Sequence, residues 1–516
     1  VEWLRDKIVS GSNTEADKQK LAEDWNHYYQ SIVEVCLELA KDHHQYFAHA
    51  IQYAELSKAR NLIERLAVKN LYPKNSISYP ENRISLSKIQ NLIDEDTAII
   101  EWYITTSNFV TFIITHNKDI INHQLPFWIS SSEELDELTN WCIEYLKAYY
   151  KYRQEGDEGW KSGLNAFLEK FSEILHIEDI LSRIPETCSR LILVPHRFLH
   201  LLPLHALPLP GQQDKCLLDR FERGVSYAPS CQLLQLTSYQ LQQLSQTQQY
   251  LHFNHLFAIQ NPNENLAFSK LEVQGITSFF EALDILDRQK ATEASLKKLN
   301  DEKLLRSIHC LHYCCHGEFK LNDPIKSALL LAEHKESDQQ SEKKSLAEGQ
   351  EDGRLTLAEI FKLTLDKCRL VTLSACETGM VDPDSISDEY IGLPSGFLFA
   401  GSPSVVASLW KVKDISTALL MIKFYEILTE NGKKSSLPEK GAVAIALNQA
   451  QRWLRDITKA ELKRWIEHWT EQPMEEWIQN LCLDPVHEML LQQVLDADEQ
   501  PFRQPYHWAA FCAIGQ

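Results

Sequence analysis

Hydrophobic positions in residues 15–68 recur every three to four places in two runs. The first holds Leu21, Trp25, Tyr28, Tyr29, Ile32, Val35, Cys36 and Leu39; the second Phe47, Ala50, Ile51, Ala54, Leu56, Ala59, Leu62, Ile63 and Leu66. That spacing keeps an apolar stripe on one side of a helix and predicts two helices with a hinge at His43 and His44. Such a pair cannot bury both faces alone, so it reads as one repeat-like unit that packs on its neighbours. A Pro- and Asn-rich connector at 71–82 follows, then a short helix at 85–92 and two β-rich runs, 97–104 and 109–114, joined by a polar turn as a hairpin. Helical stretches at 132–150 and 164–175 precede a strand at 190–194, and a Gln-rich helix at 230–250 closes the first half.

The second half alternates. Strands are expected at 256–259, 282–286, 307–314, 369–374 and 404–409, with helices at 268–280, 294–305 (N-capped by Thr292) and 391–400 between them. This is the pattern of βαβ crossovers on a mostly parallel sheet with helices on both faces. A segment at 333–353 made largely of Lys, Glu, Ser and Gln reads as a solvated excursion. Helices are expected at 417–428 and 442–454; Trp465, Trp469 and Trp477 read as core anchors, and 506–514 as a further strand.

Composition narrows the function classes. The chain has 516 residues, enough for about three domains. Its formal net charge is −20, which disfavours a nucleic-acid scaffold, because there is no basic field to offset phosphate repulsion. The twelve cysteines lack zinc-ribbon or disulfide-framework spacing and read as reduced thiols in a cytoplasmic setting. No apolar run reaches the roughly 18 residues of a membrane span, so no membrane association is expected. The first residue is Val rather than Met, which reads as an excised or processed fragment.

Two of the expected strands end in reactive side chains. His316 and Gly317 follow the strand at 307–314, and Cys376 follows 369–374 across Ala375. Ligands in open parallel sheets bind beyond the carboxyl ends of the strands, so both groups should share one rim. An imidazole beside a thiol favours the thiolate and can pass a proton to a leaving amine. Gly317, lacking Cβ, could turn its backbone N–H toward a developing oxyanion, with the N–H of Cys376 as second donor. Taken singly, a Cys or a His is more often structural. His196, His200 and His205 lie in a Leu- and Pro-rich loop and read as structural. Cys310, His312 and Cys314 share one face of a strand but are spaced too regularly along it to wrap an ion without distant help, so no metal or other cofactor is expected.

The blocks Leu311-His312-Tyr313-Cys314-Cys315-His316-Gly317 and Leu373-Ser374-Ala375-Cys376-Glu377-Thr378-Gly379 resemble those of the CHAT family, caspase-like domains associated with tetratricopeptide repeats and related to caspases and separase. The resemblance extends to Asp388 through Pro394, to Val406-Ala407-Ser408-Leu409-Trp410, to Val194-Pro195-His196 with Leu202-Pro203-Leu204, and to Tyr506 through Phe511. It implies an α/β, caspase-hemoglobinase-like fold in three parts: a tetratricopeptide-like helical region at 1–72, a pseudo-protease half at 73–250 and an active half at 251–516. It also implies a cysteine endopeptidase with His316 as base and Cys376 as nucleophile, acting on a protein or peptide substrate and regulated by a protein bound through the N-terminal helices. Asp382, Asp384, Asp388 and Glu389 follow the nucleophile, and Asp388 with Glu389 could pair with a basic P1 side chain. The same acids could equally cap the helix that follows. A catalytically silent scaffold is the alternative. A serine hydrolase is disfavoured, because Gly392-Leu393-Pro394-Ser395-Gly396 has the wrong spacing for a nucleophile elbow.

Overall fold

The computed structural model describes residues 15–58, 84–116, 126–245, 253–320, 323–333, 352–380, 392–411, 415–434, 440–480, 485–497 and 499–516. Its strands are β1 (Thr97–Ile104), β2 (Phe109–Thr115), β3 (Phe127–Ile129), β4 (Arg190–Val194), β5 (Val225–Tyr227), β6 (His255–Gln260), β7 (Ala282–Asp287), β8 (Cys310–Cys314), β9 (His316–Glu318), β10 (Ala328–Leu330), β11 (Arg354–Thr356), β12 (Leu370–Ser374), β13 (Ser404–Ser408) and β14 (Phe511–Gly515). The described residues divide into two compact units, one of residues up to 245 with 512–516, the other of 253–380 and 392–511. No described helix is long and apolar enough to cross a membrane.

In the first unit the strand order is β3-β2-β1-β4-β5-β14. β1 and β2 are apolar runs buried along nearly their whole length and pair antiparallel. Thr105 closes their turn: its N–H donates to the Asn108 carbonyl at 2.8 Å, and its hydroxyl accepts from the Asn108 N–H at 3.2 Å. β1, β4, β5 and β14 run parallel. The helices Glu15–Ala40 and Gln45–Ser57 contribute Val33, Leu37, Ala50, Ile51 and Ala54 to a core shared with Ile99, Tyr103, Val110 and Phe112. Tyr28, Ile32, Val35 and Leu39, expected within one buried stripe, instead form a second, exposed row on the first helix. The expected extension of the second helix to 68 and the connector at 71–82 lie outside the described residues, apart from Lys58 and what precedes it.

Charge is buried here in a way the hydrophobic pattern did not signal. The Lys58 ammonium, almost fully enclosed, lies 2.7 Å from a Glu101 carboxylate oxygen and donates to the Trp102 carbonyl at 3.0 Å. The Glu55 carboxylate accepts the N–H groups of Cys231 and Gln232, at 3.0 and 2.7 Å, where the helix Cys231–Ser245 begins. Two acids thus share one lysine, and burial, then the neighbouring Glu101 charge, push the Glu55 carboxyl up to about 8. The histidines of the 195–210 loop are structural in this unit. His196 Nδ1 accepts the Ile104 N–H at 2.9 Å while its ring stacks on Tyr103, and His205 Nδ1 meets the Tyr227 hydroxyl at 2.8 Å.

In the second unit β13-β12-β8-β6-β7 form an all-parallel run. β8, β12 and β13 are buried at every residue, as strands covered on both faces must be. The crossovers are the helices Ser269–Thr277, Glu293–Asp301 and Leu393–Ala400. Thr292 caps the second by accepting the Ser295 N–H at 3.1 Å. Trp465 stacks on Trp469 and meets Trp453 edge-on, whereas the side chain of Trp477 lies outside the described residues. The expected strand at 506–514 splits into the helix Pro505–Trp508 and β14. Pro505 at the helix start, with its fixed φ and missing N–H, favours that turn over an extended run. β9, β10 and β11 form a separate antiparallel sheet of three-residue strands, too short to leave a period in the sequence.

The Glu55 carboxyl has a pH consequence. Its folded pKa lies above the ordinary value of 4.5, so the folded state holds a proton that the unfolded chain gives up, and stability falls as pH rises from about 4.5 to about 8. Glu55→Gln is expected to flatten that slope in urea unfolding followed across this range; an unchanged slope would contradict the assignment.

Candidate active site

The site is built from strand ends. β8 and β12 are adjacent and parallel, and their register pairs Cys314 with Ser374. Both strands therefore stop at the same level, and His316 and Cys376 each stand two residues beyond it. Gly317 lies against the backbone of Cys376: a Cβ there would overlap the Cys376 carbonyl oxygen and come within 3.0 Å of Thr378 Cγ2. Only glycine fits that approach.

The loop after β12 is held by its own side chains. Glu377 adopts a left-handed conformation, φ 58°, unusual for a residue with Cβ, and is buried. Such a conformation costs on the order of 1–3 kcal/mol, and the surrounding hydrogen bonds offset it. The Thr378 hydroxyl donates toward the Leu373 and Ala375 carbonyls, both at 3.3 Å, and accepts the Ser408 N–H at 3.2 Å. Ser408 Oγ donates to the Ala375 carbonyl at 2.5 Å, and the Gly379 N–H donates to the Ser408 carbonyl at 2.7 Å. The end of β13 thus clamps the turn that carries Cys376.

The imidazole is held from a third strand. His316 Nε2 lies 2.6 Å from Asn265 Oδ1. Asn265 sits in the loop after β6, where Asn261, also left-handed at φ 45°, accepts the N–H groups of Asn265 and Leu266 through Oδ1, both at 3.0 Å. The Asn261 N–H in turn donates to the Cys314 carbonyl at 2.8 Å, tying this loop to the end of β8. An amide oxygen on Nε2 fixes the tautomer with the proton there and leaves Nδ1 as the basic nitrogen. Asn265 was not singled out in the sequence; its only local signal is the Asn261-Pro262-Asn263 turn composition around it.

A cavity of about 80 Å³ is lined by Asn265, Glu272, Cys314, Ser374, Cys376 and His487, among others. Cys376 itself is 9% exposed and His316 is half-buried. Asp382, Asp384, Asp388 and Glu389, the candidates for substrate contact, lie outside the described residues. The eleven described cysteines are all buried thiols. Burial pushes Cys188 up to about 11 and Cys368 up to about 12, and raises Cys310, Cys314 and Cys315 further.

The clamp is testable apart from any reaction. Ser408→Ala removes the donor to the buried Ala375 carbonyl and is expected to lower stability by about 1–2 kcal/mol. Urea denaturation measures this, and a change within error would show that the clamp contributes nothing.

Two structures of the Saccharomyces cerevisiae separase–securin complex are similar to the chain. One has 14% identity and a TM-score of 0.46, the other 13% and 0.45; each alignment covers 79% of this chain and 33% of the other. The Arg-specific cysteine proteinase gingipain R is similar at 9% identity and a TM-score of 0.35, covering 68% of this chain and 67% of that one. The chain thus spans about a third of the length of the separase chains it matches. No curated protein sequence matches. The CHAT domain matches residues 166–516, more than half of the sequence and all of the second unit's strands; the chain belongs to the CHAT-domain family.

Proposed function

We propose that this chain is a cytoplasmic cysteine endopeptidase with a caspase-hemoglobinase-like fold, in which Cys376 is the nucleophile and His316 the general base. The observation that carries the reading is the level ending of β8 and β12, with Gly317 packed on the backbone of Cys376. The reaction needs few parts. The Cys376 thiol passes its proton to His316, and the sulfur attacks the scissile carbonyl carbon. The resulting oxyanion accepts the N–H groups of Gly317 and Cys376. The imidazolium returns the proton to the leaving amine, which departs as the C–N bond breaks and leaves a thioester. Water, deprotonated by His316, then cleaves the C–S bond and releases the acid and the thiol. Asn265 positions the imidazole.

Residues 251–516 act as the protease half in this reading, 73–250 as its pseudo-protease counterpart, and 1–72 as a tetratricopeptide-like region that receives a regulatory protein. The exposed row Tyr28, Ile32, Val35 and Leu39 supports that last role. Asp388 and Glu389 pair with a basic P1 side chain. The small cavity beside a buried Cys376 favours a second reading, a catalytically silent scaffold that binds partners through the same surfaces.

Turnover separates the two. A peptide-library cleavage profile of the purified chain is expected to show cutting that Cys376→Ala abolishes without lowering the melting temperature; cutting that survives the substitution removes the nucleophile. Asn265→Ala should lower kcat roughly tenfold or more with KM little changed. Asp388→Asn should weaken only substrates with Arg or Lys at P1, and an equal loss across all P1 residues would assign it a structural role.

A further inference from the structure

Glu272, His312 and Cys314 in the second unit offer three ligand atoms that all lie within 4.8 Å of one another. His312 and Cys314 alternate along β8 and so share one of its faces, and Glu272 reaches them from the helix Ser269–Thr277. This is the distant help that the strand residues lacked on their own. All three are at least 97% buried.

The hydrogen bonding around His312 shows what the cluster lacks. The Tyr425 hydroxyl donates its one proton to Thr372 Oγ1 at 2.7 Å, so toward His312 Nδ1, 3.4 Å away, it acts as acceptor. Nδ1 therefore carries the ring proton, and a neutral His312 turns the lone pair of Nε2 outward. Nε2 lies 3.0 Å from Glu272 Oε1, yet neither atom completes a hydrogen bond. Two buried polar atoms are thus left without a hydrogen bond, a deficit that a proton or a cation bound there would relieve. The Cys314 thiol, 3.6 Å from Glu272 Oε2, adds a soft donor to the same point.

We propose that Glu272, His312 and Cys314 bind one Zn²⁺ ion. One imidazole, one carboxylate and one thiolate suit this borderline-soft ion. With bonds of about 2.0–2.3 Å, tetrahedral ligand atoms lie about 3.3–3.8 Å apart, against present separations of 3.0 Å for Nε2 to Oε1, 3.6 Å for Sγ to Oε2 and at most 4.8 Å within the group. Three protein ligands leave a fourth position open, and two of the three, Glu272 and Cys314, line the cavity of about 80 Å³. Binding displaces the Cys314 proton to solvent, so Glu272, the thiolate and the dication together are neutral. The ligands include neither Cys376 nor His316, although Cys376 lines the same cavity, and the proposal stands whether or not those two form a catalytic pair.

The test uses the full chain carrying Cys376→Ala, which removes the other thiol–imidazole pair. After chelator treatment, Zn²⁺ titrated in competition with a chromogenic chelator is expected to bind at one ion per chain, with the same affinity as in the unsubstituted chain. X-ray absorption of the loaded protein should show one sulfur at about 2.3 Å among nitrogen and oxygen ligands at about 2.0 Å. Cys314→Ser and His312→Gln should each weaken binding at least tenfold, and Glu272→Gln, which keeps the side-chain shape, serves where those variants fail to fold. Failure of the folded chain to bind one equivalent, a shell without sulfur, affinity indifferent to these substitutions, or binding lost with Cys376→Ala would each overturn the proposal. The last outcome would assign the ion to Cys376 instead.

Discussion

The parallel pairing of β8 with β12 is the constraint on which the candidate site depends. Cys314 is level with Ser374, so two groups sixty positions apart in the sequence emerge from the sheet at one height. Everything nearby is arranged on that level. The β6 loop is fastened to it by the Asn261 N–H on the Cys314 carbonyl, and the β13 end by Ser408 on the Cys376 turn. A shift of β12 by one residue would invert the face on which each of its side chains stands and carry the cysteine away from Gly317.

Backbone strain and hydrogen bonding are balanced around the sulfur. Glu377 and Asn261 both occupy left-handed conformations, one in the loop that carries Cys376 and the other in the loop that carries Asn265. Each conformation is unfavourable for its residue type taken alone, least so for Asn. Each is held by bonds from short polar side chains, Thr378 and Ser408 in one case and the Asn261 amide in the other. These bonds hold the loops that follow β12 and β6 in their left-handed turns.

The five parallel strands of the second unit, and with them the level ends of β8 and β12, were legible because each is a short run rich in apolar residues. Other parts were not legible. Asn265 and Glu272 lie 51 and 40 residues before His316 and His312, and their roles come from loop and helix geometry that no local period encodes. The three-residue strands β9 to β11 are below the length at which alternation can be seen. The stripe on the first helix was read as a single buried face, but the helix meets its core through Tyr29, Val33, Cys36 and Leu37 and leaves the second row exposed. Lys58 and Glu101 resemble surface residues in sequence, and only the fold pairs them.

The central proposal is that His316 activates the Cys376 thiol and so sets it apart chemically from the other thiols. Alkylation of the native chain with limiting iodoacetamide at neutral pH, resolved cysteine by cysteine by mass spectrometry, tests it most directly. The account predicts that Cys376 reacts well ahead of buried thiols such as Cys315 and Cys368, and that His316→Gln removes the lead. Reaction at a common rate, or a lead that persists without the imidazole, would contradict it.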